Sequence, residues 1–282
     1  MSGYSSGFFS VARLTWLELQ RRRIVLASLV GGAVLLLVFA IAVYLIHNFH
    51  RPAHPLSILE SRAELQLASL AGFYAANLLA VAVAVVLPLD LLSGEIASGV
   101  MQTIASKPIR RWEILLAKFM VFWLVIAAYI AIIVSGVVFS MRLITGFSQP
   151  HAVAAAGLLV LEATVLLCVV VAGGVRLTTV SNGMVAFSLY AVAVVGGWIE
   201  QIGVTVGNSQ ARYVGTAISL LSPTDALWRR ALNLLAPPVL SQVQTATYLP
   251  ASVPSVTMVW WSVGFAVCAL VLAVRWFETR QL

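Results

Sequence analysis

The chain has 282 residues, 61% of them hydrophobic and only 10% charged, with a mean hydropathy of +0.99 and a formal charge of +7. Soluble domains carry about 25% charged residues, so this composition excludes an ordinary soluble enzyme and points to a chain whose apolar surface meets lipid. The basic excess does not imply nucleic acid, because the arginines flank apolar runs instead of clustering on one polar face.

The first predicted element is "FFSVARLTWLELQRRR". It sets Phe9, Ala12, Trp16 and Leu19 at helical spacing and closes on three arginines, which reads as an amphipathic helix in the headgroup layer. A plain extension of the first span is the alternative. The next apolar run is too long for a signal-peptide core and ends in no small-residue cleavage site, so it is expected to stay as a span.

A spanning helix needs about 20 mostly apolar residues. Six stretches qualify: Ile24–Ile46, Leu67–Leu89, Leu115–Met141, Ala152–Val175, Met184–Val206 and Val256–Val274. After the first of them, "HNFHRPAHP" places His47, His50 and His54 at spacings of three and four, which could hold a borderline metal. Pro52 and Pro55 break any shared helical face, and no cysteine or carboxylate completes the set, so loop histidines without metal are expected. Cys168 and Cys268 lie inside apolar runs and form no CxxC pair, which fits buried thiols packing as small hydrophobes.

Residues 93–113 interrupt the apolar pattern. Ser93 is placed to cap a helix, and Glu95 in its first turn suits the positive end of the helix dipole. Ile96, Val100, Met101 and Ile104 form one apolar stripe, and Gly94 and Gly99 permit close approach of another backbone. Pro108 forces Lys107 out of helical geometry. Arg110, Arg111 and Trp112 then anchor the third span at the interface, with anionic lipid as one partner for the arginines. The expectation is a short, rigid, weakly amphipathic helix suited to docking into a partner, with a solvated connector as the alternative.

Three polar residues fall within spans. Glu162 sits near the middle of the fourth and Glu200 near one end of the fifth, while Asn77 lies in the second. A carboxylate at mid-bilayer costs about 2.5–3.5 kcal/mol on insertion scales, so such groups face protein or water. Substrate, ion or proton contact in a translocation path is one reading; a protonated acid bonding a neighbouring helix is the other, and Asn77 also suits interhelical bonding. In the fifth span Gly203 and Gly207 form a G-x-x-x-G, a candidate surface for a second copy.

Residues 207–255 are too many for a simple tether. Ser222 as cap, Pro223 at the first position and Asp225 predict a helix running to about Ala236, where Pro237 and Pro238 stop it. It is too short to span and reads as an external or partly re-entrant helix over the mouth of the bundle.

Charge sets the orientation. Arg13, Arg21, Arg22, Arg23, Lys107, Arg110, Arg111, Lys118, Arg176, Arg275 and Arg280 fall on one side, and Arg51, Arg62, Arg142, Arg212, Arg229 and Arg230 on the other. The larger group marks the cytoplasmic face, with both termini and the loop at 93–113.

The stretch "GEIASGVMQTIASKPIRRWEILLAKF" resembles the loop between spans two and three of ABC-2 type transporter permeases, through Glu95, Gly99, Lys107, Pro108, Arg111 and Lys118. Val100 stands where that family usually has Thr, and Ala117 where it has Gly. "ARLTWLELQRRR" and "LLSPTDALWRRAL" look similar to other parts of the family, the latter most of all to the branch with nitrous-oxide-reductase maturation permeases.

The resemblance implies an all-α polytopic membrane protein in one permease domain. It has six transmembrane helices, an N-terminal interfacial helix and a cytoplasmic coupling helix between spans two and three. It further implies that Glu95, Gly99, Lys107, Pro108, Arg110 and Arg111 contact separate ABC ATPase subunits, two per complex, beside a second permease copy or paralogue. No P-loop motif occurs in the chain, so ATP and Mg are expected in the partner, with no cofactor here. Export of a substrate across a bacterial or archaeal cytoplasmic membrane is the implied activity. The alternative is a subunit that passes ATP-driven motion to an extracytoplasmic partner protein and moves no solute. An intramembrane enzyme would need converging catalytic groups, and the sequence offers none.

Overall fold

The computed structural model describes residues 4–49, 58–90, 93–94, 110–236 and 251–280. Among them lie nine helices: α1 (Tyr4–Arg21), α2 (Arg23–Phe49), α3 (Ile58–Val86), α4 (Arg111–Thr145), α5 (Ala152–Gly174), α6 (Thr179–Val206), α7 (Ser209–Leu221), α8 (Thr224–Leu235) and α9 (Val256–Thr279). Six of these, α2 to α6 and α9, are long and apolar enough to cross a bilayer.

The core is built where helices present apolar stripes at a spacing of three and four. On α4 that stripe is Phe122, Ile126, Ile130, Ile133, Val137 and Met141, all buried, and the helix runs 35 residues without a break. Gly146, in the left-handed conformation at φ 70°, closes it by donating its N–H to Arg142 O. α5 sits at the centre and packs on α3, α4, α6, α8 and α9, which is why its buried residues face all round. α2 lies at the edge against α4, where Gly32 fits under Tyr129 and Ile133, and the Tyr129 hydroxyl donates to Ser28 O at 3.2 Å. Leu36 and Phe39 pack inward against Gly136 and Gly72, and the opposite face, with Leu26, Val30, Leu37 and Ile41, is exposed, as lipid contact requires.

α1 packs on α4. The buried stripe is Val11, Thr15 and Leu19, and Thr15 donates to Val11 O at 2.9 Å. Phe9 and Trp16 project outward, because a four-residue step from Val11 faces α4 and turns those two rings away.

Two ends of the bundle are distinguished by their bonds. At one, Arg111 donates to Arg280 O at 2.7 Å, Arg176 lies over the Trp276 ring at 4.9 Å, and Ser93 Oγ meets Thr179 Oγ1 at 3.0 Å. This end carries the C-terminal turn of α9 and the start of α4. Ser93 also donates to Leu89 O at 2.7 Å, while the residues it is expected to cap lie outside the described ones.

At the opposite end α6 turns back on itself. Gly207, at φ 74°, donates its N–H to Gly203 O and Val204 O, and the Asn208 side chain accepts from the N–H groups of Gln210 and Ala211 to start α7. α7 then returns antiparallel along α6: Gly203 lies against the Arg212 backbone, Gly215 against the Glu200 backbone and Gly196 against Ile218. The chain turns again at Ser222–Pro223 into α8, which is buried on nearly every side against α5, α6, α3 and α9. The sequence pattern predicts only α8, and with Ser222 as its cap; here Pro223 holds the cap position without a side-chain bond. The end of α8 is clasped from two directions, since Gln66 and Gln149 both donate to Leu235 O.

Candidate functional site

The turn-back unit is held by a buried guanidinium. The i, i+4 spacing within α8 puts Asp225 and Arg229 on one face, and Arg229 Nε donates to Asp225 Oδ2 at 2.8 Å. Its Nη2 donates to Glu200 Oε2 of α6 at 2.9 Å and to Ser219 Oγ of α7 at 3.2 Å. Its Nη1 donates to Ser252 O at 3.4 Å, and the Ser252 hydroxyl in turn donates to Glu200 Oε1 at 2.5 Å. Arg229 is 2% exposed, and Asp225 and Glu200 are buried with it. One planar, permanently charged fork thereby ties together α6, α7, α8 and the segment before α9, a task that lysine's single point of charge could not do. Asp225 fits only because position 197 is glycine: a Cβ there would come within 1.8 Å of Asp225 Oδ2. Burial pushes the Asp225 carboxyl up to about 6, against the opposing pull of Arg229.

Beside this cluster lies a cavity of about 980 Å³, walled by α3, α6 and α8. Its lining is mostly apolar and aromatic, with Tyr74, Tyr190, Trp198 and Trp228 supplying rings and Asn77 and Asp225 supplying oxygens. Tyr74 and Trp228 meet edge to face at 4.9 Å between centroids. Asn77 is buried with its Oδ1 unpartnered. Glu162 of α5 is close enough to interact with Asn77, Tyr190 and Asp225. It is 1% exposed, and neither carboxylate oxygen has a hydrogen-bond partner among the described residues.

The structure therefore places one of the sequence-predicted residues, Asn77, in the cavity wall, with Glu162 of α5 close enough to interact with it. The third, Glu200, pairs with Arg229 of α8. Gly203 is covered by α7 of the same chain, and Gly207, which is exposed, supplies the turn. Arg111 is committed to the carbonyls of the C-terminal turn, and Arg110 stands exposed at the position preceding α4. Glu95, Gly99, Lys107 and Pro108 lie outside the described residues, as do His50 and His54, while His47 falls in the last turn of α2.

Sequence reasoning misses the roles of Arg229, Asp225 and the four rings. By charge distribution alone Arg229 is an outer-loop basic residue, and Asp225 only a favourable first-turn acid. Their spacing of four on a helix flanked by Leu227, Ala231 and Leu235 is the available signal.

A family model for ABC-2 family transporter proteins matches residues 12–282. Among curated proteins, none matches the chain. The match takes in every span, the turn-back unit and the polar segment between spans two and three. This integral membrane protein belongs to the ABC-2 family of transporter proteins, as a permease subunit of an ABC transporter.

Proposed function

We propose that the chain couples ATP hydrolysis by two separate ATPase subunits to export of a substrate, working beside a second permease copy or paralogue. ATP and Mg belong to the partner. The observation that carries this reading is the cavity between α3, α6 and α8, with the buried Asp225 carboxylate in its lining and an ion-paired helical turn-back beside it. An apolar cavity of about 980 Å³ has the size and lining of a small-molecule site. A subunit that relayed motion alone would have no use for one. In this reading the ends of α4 and α9 that meet through Arg111 face the cytoplasm, as the distribution of basic residues favours, and the α7–α8 unit covers the outer mouth.

Force enters through residues 93–113, with Glu95 pairing a basic group on the ATPase. The test is Glu95→Lys. It should abolish co-purification with the ATPase, or the stimulation of its ATP turnover, while membrane insertion stays intact. A variant that still forms the complex and turns over ATP like wild type refutes this route.

A further inference from the structure

The lining of the cavity carries information about what it admits. Among the described lining residues, Asp225 is the one acidic side chain and Arg229 the one cationic one. Four of its five N–H donors are already engaged by Asp225, Glu200, Ser219 and Ser252. An anion entering the cavity would find no uncommitted positive charge on these walls.

A cation meets the opposite situation. Four aromatic side chains surround the space, and ring faces attract positive charge held within about 6 Å of them. Asn77 presents a lining side chain whose oxygen has no partner among the described residues, and Glu162, close enough to interact with it, has neither carboxylate oxygen hydrogen-bonded among them. These groups are buried, and buried polar atoms without partners are rare. Two carboxylates share one guanidinium close by, so nothing in that cluster already compensates Glu162. The walls are otherwise Leu67, Leu70, Leu78, Val194 and Leu232, which favour an organic body over a hydrated metal ion.

We infer that the α3–α6–α8 cavity binds a hydrophobic organic monocation, its charge held by the aromatic rings and the Asn77 oxygen, with the Glu162 carboxyl group close to Asn77, and its apolar body against the leucine and valine wall. This rests on reading the cavity as the substrate path proposed above.

The test is equilibrium binding of radiolabelled tetraphenylphosphonium to the purified full-length chain, with tetraphenylborate as an anion of nearly the same shape. The cation should bind saturably and the anion should fail to displace it. Glu162→Gln should weaken cation binding by at least about tenfold, since it removes the carboxyl group beside Asn77 that a bound cation would favour in its ionised form. Trp198→Ala should weaken it by roughly threefold to tenfold. Trp198 is 62% exposed, so that variant keeps its fold and decides the matter if Glu162→Gln is unstable. Absence of saturable cation binding, equal binding of the borate, or unchanged affinity in a folded Glu162→Gln or Trp198→Ala variant would each overturn the inference.

The measurement needs no ATPase. Cation binding without any ATPase stimulation in the complex would sink the coupling reading and leave the ligand class standing. Normal stimulation without cation binding would do the reverse.

Discussion

Arg229→Met is the most informative single change to this molecule. Methionine keeps much of the side chain's length and removes the charge, which strips four hydrogen bonds from a site where the guanidinium is 2% exposed. Two buried carboxylates, Asp225 and Glu200, would then face each other with no cation between them. Breaking a buried ion pair by removing one partner costs about 3–5 kcal/mol, mostly the penalty of the charge left behind. For a protein of this size each kcal/mol lowers the unfolding midpoint by roughly 2–4 °C, so the variant should unfold some 6–20 °C below wild type. The assay is thermal unfolding in detergent, monitored by near-ultraviolet circular dichroism. Because the penalty comes from stranded charge, the triple variant Arg229→Met, Asp225→Asn, Glu200→Gln should recover most of the loss. If Arg229→Met melts within about 2 °C of wild type, or if neutralising both acids restores nothing, the buried fork does not hold the turn-back together.

The same geometry sets three further outcomes. Gly197→Ala drives a methyl group into Asp225 Oδ2, with no flexible neighbour to yield, and should cost about 1–3 kcal/mol in the same melt, whereas Gly31→Ala, where a Cβ meets nothing within 4 Å, should cost far less. Gln66→Leu or Gln149→Leu alone should cost about 0.5–1.5 kcal/mol, because the other glutamine still satisfies Leu235 O; the double variant leaves that carbonyl unpartnered and should lose more than the sum of the two. Asp225 has a folded-state value raised to about 6, so the folded protein holds a proton that the unfolded chain has released. Its contribution to stability is therefore full below about pH 4 and is lost as pH rises to about 6, and a melt of Asp225→Asn over that window should lack this decline.

The spans are legible because lipid imposes a length, and each run of apolar residues long enough to meet it lies within one helix. The turn-back is only half legible. α8 announces itself through Pro223, Asp225 and the Pro237–Pro238 stop, but "SQARYVGTAISLL" is short and mixed, and its helicity comes from the glycine groove of α6. Small residues at a spacing of four say that a backbone will come close; they do not say whose, and here Gly203 meets the chain's own Arg212. Glu200 and Arg229 are 29 residues apart, and no local pattern links an acid at the end of one helix to a base in the middle of another. Glu162 is the opposite case, since the cost of a carboxylate in an apolar run is visible without any partner.

The unbroken length of α4 has a mechanical consequence. Its 35 residues make a rod about 52 Å long, against a hydrocarbon core of about 30 Å. No proline interrupts it, and its one internal glycine, Gly136, is packed against Leu36 of α2, so the helix runs on without a break. A pivot of about ten degrees around one tip would sweep the far tip through roughly 9 Å, comparable to the separation of packed helix axes. A small tug beside Arg111 is thereby converted, at the distant end, into a stroke the width of a whole helix.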